Sequence, residues 1–185
     1  MTSLTEAAGF ALAVAMVVCS IRQWHWSWPL GIASSVLYFF VFQSNQLYGE
    51  ASLQILFATL SLWGWWQWLR AAQQQAHVKR LDRRGWLLCA LTCAVLWPAV
   101  SWYLQQFTDS DVPHWDSLVT VLSVLGQYLL GRKFLENWWV WMVANTLSMG
   151  LFAYKALWLT VMLYGMFVAM SWVGWRTWQA ETQAA

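Results

Sequence analysis

Residues 61–68 read SLWGWWQW and residues 171–178 read SWVGWRTW. Ser, Gly, Trp and Trp recur 110 positions apart: Ser61/Ser171, Gly64/Gly174, Trp65/Trp175 and Trp68/Trp178. Upstream, Glu6 pairs with Asp116 and Arg22 with Arg132 at the same spacing, while Trp28 pairs with Trp139 and Ser34 with Asn145 at 111. Two halves of the chain therefore read as copies, and both lie in strongly apolar surroundings. An internally duplicated apolar chain is a common plan for a membrane transporter whose site lies between the repeats.

Composition supports that plan. Of 185 residues, 60% are hydrophobic and 10% charged, where a soluble domain carries about 25% charged residues. So much apolar surface needs lipid as its solvent. A spanning helix takes roughly 20 apolar residues, and seven such segments fill the chain: 5–21, 28–45, 48–69, 85–105, 115–131, 138–154 and 156–177. The expected fold is an all-α membrane protein of one membrane domain, 1–185. Its seven helices form two parallel three-helix repeats, 5–69 and 115–177, joined by a linker helix, 85–105. With three helices per repeat, one extra crossing gives both repeats the same orientation. Pro29 suits the first turn of the second helix, and Pro98 should kink the linker helix.

Charge sets the expected topology. The linker AAQQQAHVKRLDRR holds Lys79, Arg80, Arg83 and Arg84, with Arg70 just before it. With that linker in the cytoplasm, nine of the ten Lys and Arg lie inside and only Lys155 outside. The N-terminus is then outside and the C-terminus inside. The first segment has no preceding basic residue and no clear cleavage site, so it reads as a retained helix. The net charge of +2 reflects this bias and is no nucleic-acid signal. Cys19, Cys89 and Cys93 fall inside apolar segments and read as small hydrophobes, without a disulfide, metal or cofactor.

Polar side chains in a membrane helix turn inward, pair, or mark a pathway. Offsets of 4, 7, 11 and 14 return to one helix face. Gln54, Ser61, Trp65 and Trp68 form one stripe, and Tyr164, Ser171, Trp175 and Trp178 form its copy. Asp116, Thr120, Ser123 and Gln127 form a third; Asn145 with Ser148, and Ser34 with Tyr38 and Asn45, add two more. Ser34, Ser61, Ser123, Ser148 and Ser171 read as glue between helices, about 0.6 kcal/mol per contact. The amides Gln54, Gln127 and Asn145 have more groups to satisfy and read as a substrate site. Trp24, Trp26, Trp28, Trp86, Trp138, Trp139 and Trp141 lie at helix ends and read as interface anchors. Trp65, Trp68, Trp175 and Trp178 share faces with polar residues and read as site walls. Aromatic walls with amides suit a flat, hydroxylated, cationic solute.

No ionisable residue falls near the middle of any segment, which favours facilitated diffusion over proton coupling. Glu6 and Asp116, at the outer ends of the first and fifth segments, are candidates for an outer gate. A membrane enzyme fits poorly: no HExxH, paired mid-membrane acids or phosphate-binding Gly loop is present, so no catalytic residue is assigned. A structural or partner-stabilising membrane subunit is the rival of another class, and a homo-oligomer stays open.

The run HWDSLVTVLSVLGQYLLGRKFLENWWVWMVANTLS (114–148) resembles PnuC transporters, chiefly at Trp115-Asp116-Ser117, Arg132-Lys133, Glu136-Asn137-Trp138 and Asn145 through Ser148. The run QLYGEASLQILFATLSLWGWWQW (46–68) resembles the matching segment at Leu47-Tyr48, Gln54, Gly64 and the Trp65/Trp68 pair. The position before Gly174, which can be Asn in that family, is Val173 here. The resemblance implies a bacterial inner-membrane vitamin transporter with a three-plus-one-plus-three plan related to SWEET carriers. It implies uptake of nicotinamide riboside by facilitated diffusion. Thiamine, riboflavin or a deoxynucleoside is the alternative cargo. By position it also implies Gln54, Trp65, Trp68, Gln127, Asn145, Trp175 and Trp178 as ligand residues.

Overall fold

The computed structural model describes residues 2–44, 48–73, 77–108, 111–154, 156 and 158–184. Among these it has seven helices: α1 (Thr2–Ile21), α2 (Ser27–Ser44), α3 (Tyr48–Gln73), α4 (Arg83–Phe107), α5 (Pro113–Gly131), α6 (Asn137–Tyr154) and α7 (Trp158–Ala184). The expected all-α fold holds. The last helix of each half, α3 and α7, runs several residues past its apolar stretch. Those extensions are rich in Ala, Gln and Glu, which favour helix without needing burial. Pro29 falls in the first turn of α2, and Pro98 lies inside α4.

The chain forms two compact units, Met1–His77 and Val78–Ala185. In the first, α1 packs on α2 and α2 on α3; in the second, α4, α5, α6 and α7 pack in succession. The linker helix therefore clusters with the second repeat.

The two first turns share one geometry. In unit 1, the Trp24 N–H donates to Cys19 O (2.8 Å), Gln23 N–H to Ser20 O (3.1 Å) and Ser27 N–H to Trp24 O (3.0 Å). In unit 2, Phe134 donates to Leu129 (2.9 Å), Lys133 to Leu130 (3.0 Å) and Asn137 to Phe134 (3.2 Å). Gln23 and Lys133 both take a left-handed backbone, φ 53 and 57. That conformation turns the chain after a helix end. Every one of these pairs is 110 apart, so the register of 111 expected for Trp28 and Ser34 is corrected. Trp28 matches Trp138, and Ser34 matches Ala144.

That register explains the duplicated signature. Trp28 meets Trp68 edge to face, with ring centroids 5.5 Å apart, and Trp138 meets Trp178 likewise at 5.4 Å. All four rings are nearly enclosed, at 2%, 2%, 2% and 0% exposure. The Trp28 ring lies over Gly64 and the Trp138 ring over Gly174, where a Cβ would meet ring carbons at 2.3 Å and 2.6 Å. The glycines let α3 and α7 accept an indole that no other residue leaves room for. Trp28 and Trp138 are thus core residues, against the anchor reading. Trp24, Trp26, Trp86 and Trp139 are exposed. Elsewhere the halves exchange volumes: Met16 packs over Gly31, while at the matching positions Trp141 packs over Gly126.

α4 presents most of its surface outward, and Ser101 is its one buried residue among those described. It is fastened to α5 through His114. The Trp97 indole N–H donates to His114 O (2.9 Å), Ser101 Oγ bonds His114 Nδ1, and Gln105 Nε2 lies 3.1 Å from His114 Nε2. Replacing His114 with alanine removes both ring contacts. Amides of residues 101–108 are expected to exchange with deuterium at least severalfold faster while those of α6 are unchanged. Equal protection would show that packing alone holds α4.

Candidate functional site

In unit 1 the expected site residues lie along α3. Gln54 and Trp65 are half-buried and Ser61 is buried. The Trp65 indole N–H is enclosed and has no partner among the described residues. Trp68 spends its ring on Trp28. Gln54 and Trp68 are 14 residues apart, about 21 Å along a helix, so a single small solute cannot touch both. The Ser34 hydroxyl donates to Gly9 O (3.0 Å) and ties α2 to α1, as the glue reading expects. Asn45 and the side chain of Glu6 lie outside the described residues.

In unit 2, Gln127 on α5 is 4% exposed and Asn145 on α6 is 7% exposed. Trp175 on α7 is half-buried, with ring centroids 5.4 Å from Trp139 and 5.0 Å from Trp172. Trp178 is committed to Trp138. Gln127 is four residues before the end of α5 at Gly131, about 6 Å along the axis. It therefore sits toward the turn rather than at mid-depth. Asp116 is half-buried in the first turn of α5, where the helix dipole favours a carboxylate. Ser148 and Ser171 donate to Ala144 O (3.0 Å) and Phe167 O (2.8 Å) on their own helices. Those bonds overturn the glue reading for these two hydroxyls. The Trp115 indole N–H donates to Leu147 O (3.0 Å) and locks α5 to α6.

Among the expected site residues, unit 2 thus carries two buried primary amides and one half-buried indole not committed to the core, on three successively packed helices. Each amide can donate and accept, and the indole face attracts a cation. Two indoles that spacing did not place beside Trp175, Trp139 and Trp172, flank it. Trp138 and Trp139 both read as anchors in the sequence; the constant spacing of 110 matches Trp138, not Trp139, to Trp28. A recess of about 350 Å³ between α4 and α5 is lined by Trp97, Pro98, Ser101, Trp102, Gln105 and His114 and holds none of the expected site residues. No cluster of metal-binding side chains occurs among the described residues, and the three cysteines are free and half-exposed.

Comparison with known proteins gives a consistent set. A family model described as "Nicotinamide mononucleotide transporter" matches residues 3–180. The chain is 25% identical over 175 residues to "Nicotinamide riboside transporter PnuC" of Escherichia coli (strain K12), covering 80% of this chain and 73% of that one. It is 24% identical over 154 residues to "Riboflavin/roseoflavin transporter RibM" of Streptomyces davaonensis, covering 80% and 71%. It superposes on "Crystal structure of the Vitamin B3 transporter PnuC" with a TM-score of 0.80, over 98% of this chain and 83% of that one, at 22% identity. That likeness shows the seven-helix fold.

Proposed function

The chain belongs to the nicotinamide mononucleotide transporter family of membrane transporters, and from that premise we propose that it takes up nicotinamide riboside by facilitated diffusion. The observation that supports this cargo is the match over most of both chains to a nicotinamide riboside transporter. The side chains of unit 2 suit it. Trp175 offers a π face to the pyridinium ring. Gln127 and Asn145 offer hydrogen bonds to the carboxamide and ribose hydroxyls. In unit 1, Trp65 carries an indole N–H with no partner among the described residues, and Gln54 an amide on the same helix, as that unit's own candidates. Trp68 and Trp178 act from behind, holding the neighbouring turns. Glu6 and Asp116, at matching positions of the two repeats, mark the outer gate. The repeats span 5–69 and 115–177 around the linker helix. The N-terminus is outside and the C-terminus cytoplasmic, in a bacterial inner membrane.

The likeness to a riboflavin transporter favours a flavin as the second reading, since a flavin is also flat and carries a hydroxylated chain. The deciding measurement is uptake of radiolabelled nicotinamide riboside into liposomes holding the purified protein, without ion gradients, with riboflavin and thiamine as competitors. Saturable uptake that levels at equal inside and outside concentrations, unaffected by either competitor, is expected. Uptake of riboflavin alone would move the cargo to the second reading. Accumulation only with a sodium gradient would sink the passive mechanism.

A further inference from the structure

The segment before α4 is fastened to the α5–α6 turn as a short strap. Lys79 N–H donates to Lys133 O (2.9 Å), and Leu135 N–H donates to Lys79 O (2.8 Å), closing a parallel bridge between Lys79 and Phe134. Leu81 N–H donates to the Glu136 carboxylate (3.0 Å). The matching turn of unit 1 forms the same internal hydrogen bonds, and no such bridge joins it among the described residues. The strap is therefore not what builds the turn. Its consequence is electrostatic: it ties the segment that carries Lys79, Arg80, Arg83 and Arg84 to the turn that carries Arg132, with all five cations exposed.

Asp82 and Glu136 offset only two of these five cations, so the segment keeps a net positive charge. Glu136 is engaged by Leu81 N–H, and Asp82 by Gly85 N–H (2.7 Å) at the start of α4. Arg83 and Arg84 occupy the first turn of α4, the helix end whose dipole disfavours cations. Burial pulls the Lys133 ammonium below the usual lysine range, with Glu181 partly opposing, so Lys133 is the cation least suited to bind. Beyond Arg84, at offsets of 4, 7, 11 and 18, follow Leu88, Leu91, Val95 and Trp102, one exposed apolar face of α4. A cationic head above an apolar face complements an anionic amphiphile. A free phosphate would make no use of that face.

We propose that the strap, the α5–α6 turn and the first turn of α4 bind an anionic phospholipid. Lys79, Arg84 and Arg132 hold its phosphate, and the Leu88–Leu91–Val95 face of α4 supports its acyl chain. Juxtamembrane cations act on anionic headgroups this way, at about fivefold in affinity each. The distinction from general positive-inside charge is that the strap arranges the cations.

The test is native mass spectrometry of the full chain in detergent, titrated with phosphatidylglycerol or phosphatidylcholine. Selective retention of phosphatidylglycerol is expected. Arg132→Gln and Arg84→Gln should each weaken it about fivefold. Arg22→Gln, the same charge change at the matching position of unit 1, should leave it unchanged. Glu136→Ala adds net positive charge yet unfastens the strap, so retention should fall. Equal retention of phosphatidylcholine, equal loss in Arg22→Gln, or tighter binding in Glu136→Ala would each overturn the proposal. So would equal competition by inorganic phosphate, which would make the site one for a soluble anion. If Glu136→Ala does not fold, the Arg132/Arg22 pair decides alone.

Discussion

Gly64→Ala is expected to destabilise the protein by about 1–3 kcal/mol, the usual range for overpacking a close-packed core. The added methyl would lie 2.3 Å from the Trp28 ring. That ring is 2% exposed and pinned edge to face by Trp68, so it has nowhere to move. Helix propensity alone would favour alanine by about 1 kcal/mol, so the clash decides the sign. Gly174→Ala should behave alike through Trp138 at 2.6 Å. Gly165→Ala is the control, because its methyl would meet only Met149, at an ordinary 3.6 Å. Thermal melting in detergent should fall by several degrees for the first two variants and hold or rise for the third. Trp28→Phe, which shortens the ring, should restore part of the loss in the Gly64→Ala background. If Gly64→Ala and Gly165→Ala melt alike, the indole does not need that space.

Gln127→Ala is expected to lower the rate of riboside uptake at sub-saturating concentration about 10- to 100-fold, with the protein still folded. Leaving a buried polar group of the ligand unpaired costs about 1–3 kcal/mol, a range in affinity that brackets that loss. The side chain is 4% exposed, so truncation also leaves space in the core. Gln127→Met separates the two effects: it keeps the volume and removes both the amide donor and the amide acceptor. Both variants should lose uptake, and Gln127→Met should melt closer to the parent. Retained uptake in Gln127→Met would remove Gln127 from the site and leave it a packing residue.

The candidate site was only partly legible in the chain. Spacing placed Gln127 and Asn145 on faces that the structure buries, and Trp175 on one that it leaves half-buried. It could not divide the tryptophans, because Trp65 and Trp68 share one stripe and one helix. What separates them is Trp28, which reaches across from α2 and takes the Trp68 ring, leaving Trp65 half-buried with an unspent N–H. Ser148 and Ser171 looked like links between helices and instead bond their own backbone. A hydroxyl's choice between a carbonyl four residues back and a neighbouring helix leaves no mark in spacing.

The sequence by itself determined the seven helices, their order and their duplication. Those follow from the pattern along the chain: apolar runs of helical length, turn residues between them, and motifs that recur at a fixed spacing. Only the tertiary structure decided which aromatic rings form the core, which side of the turn the strap covers, and that the true register is 110 throughout. The physical reason is that each of these depends on a partner far along the chain. Gly64 has meaning only beside Trp28, and Glu136 only beside Leu81. No window of sequence contains both a ring and the gap that receives it.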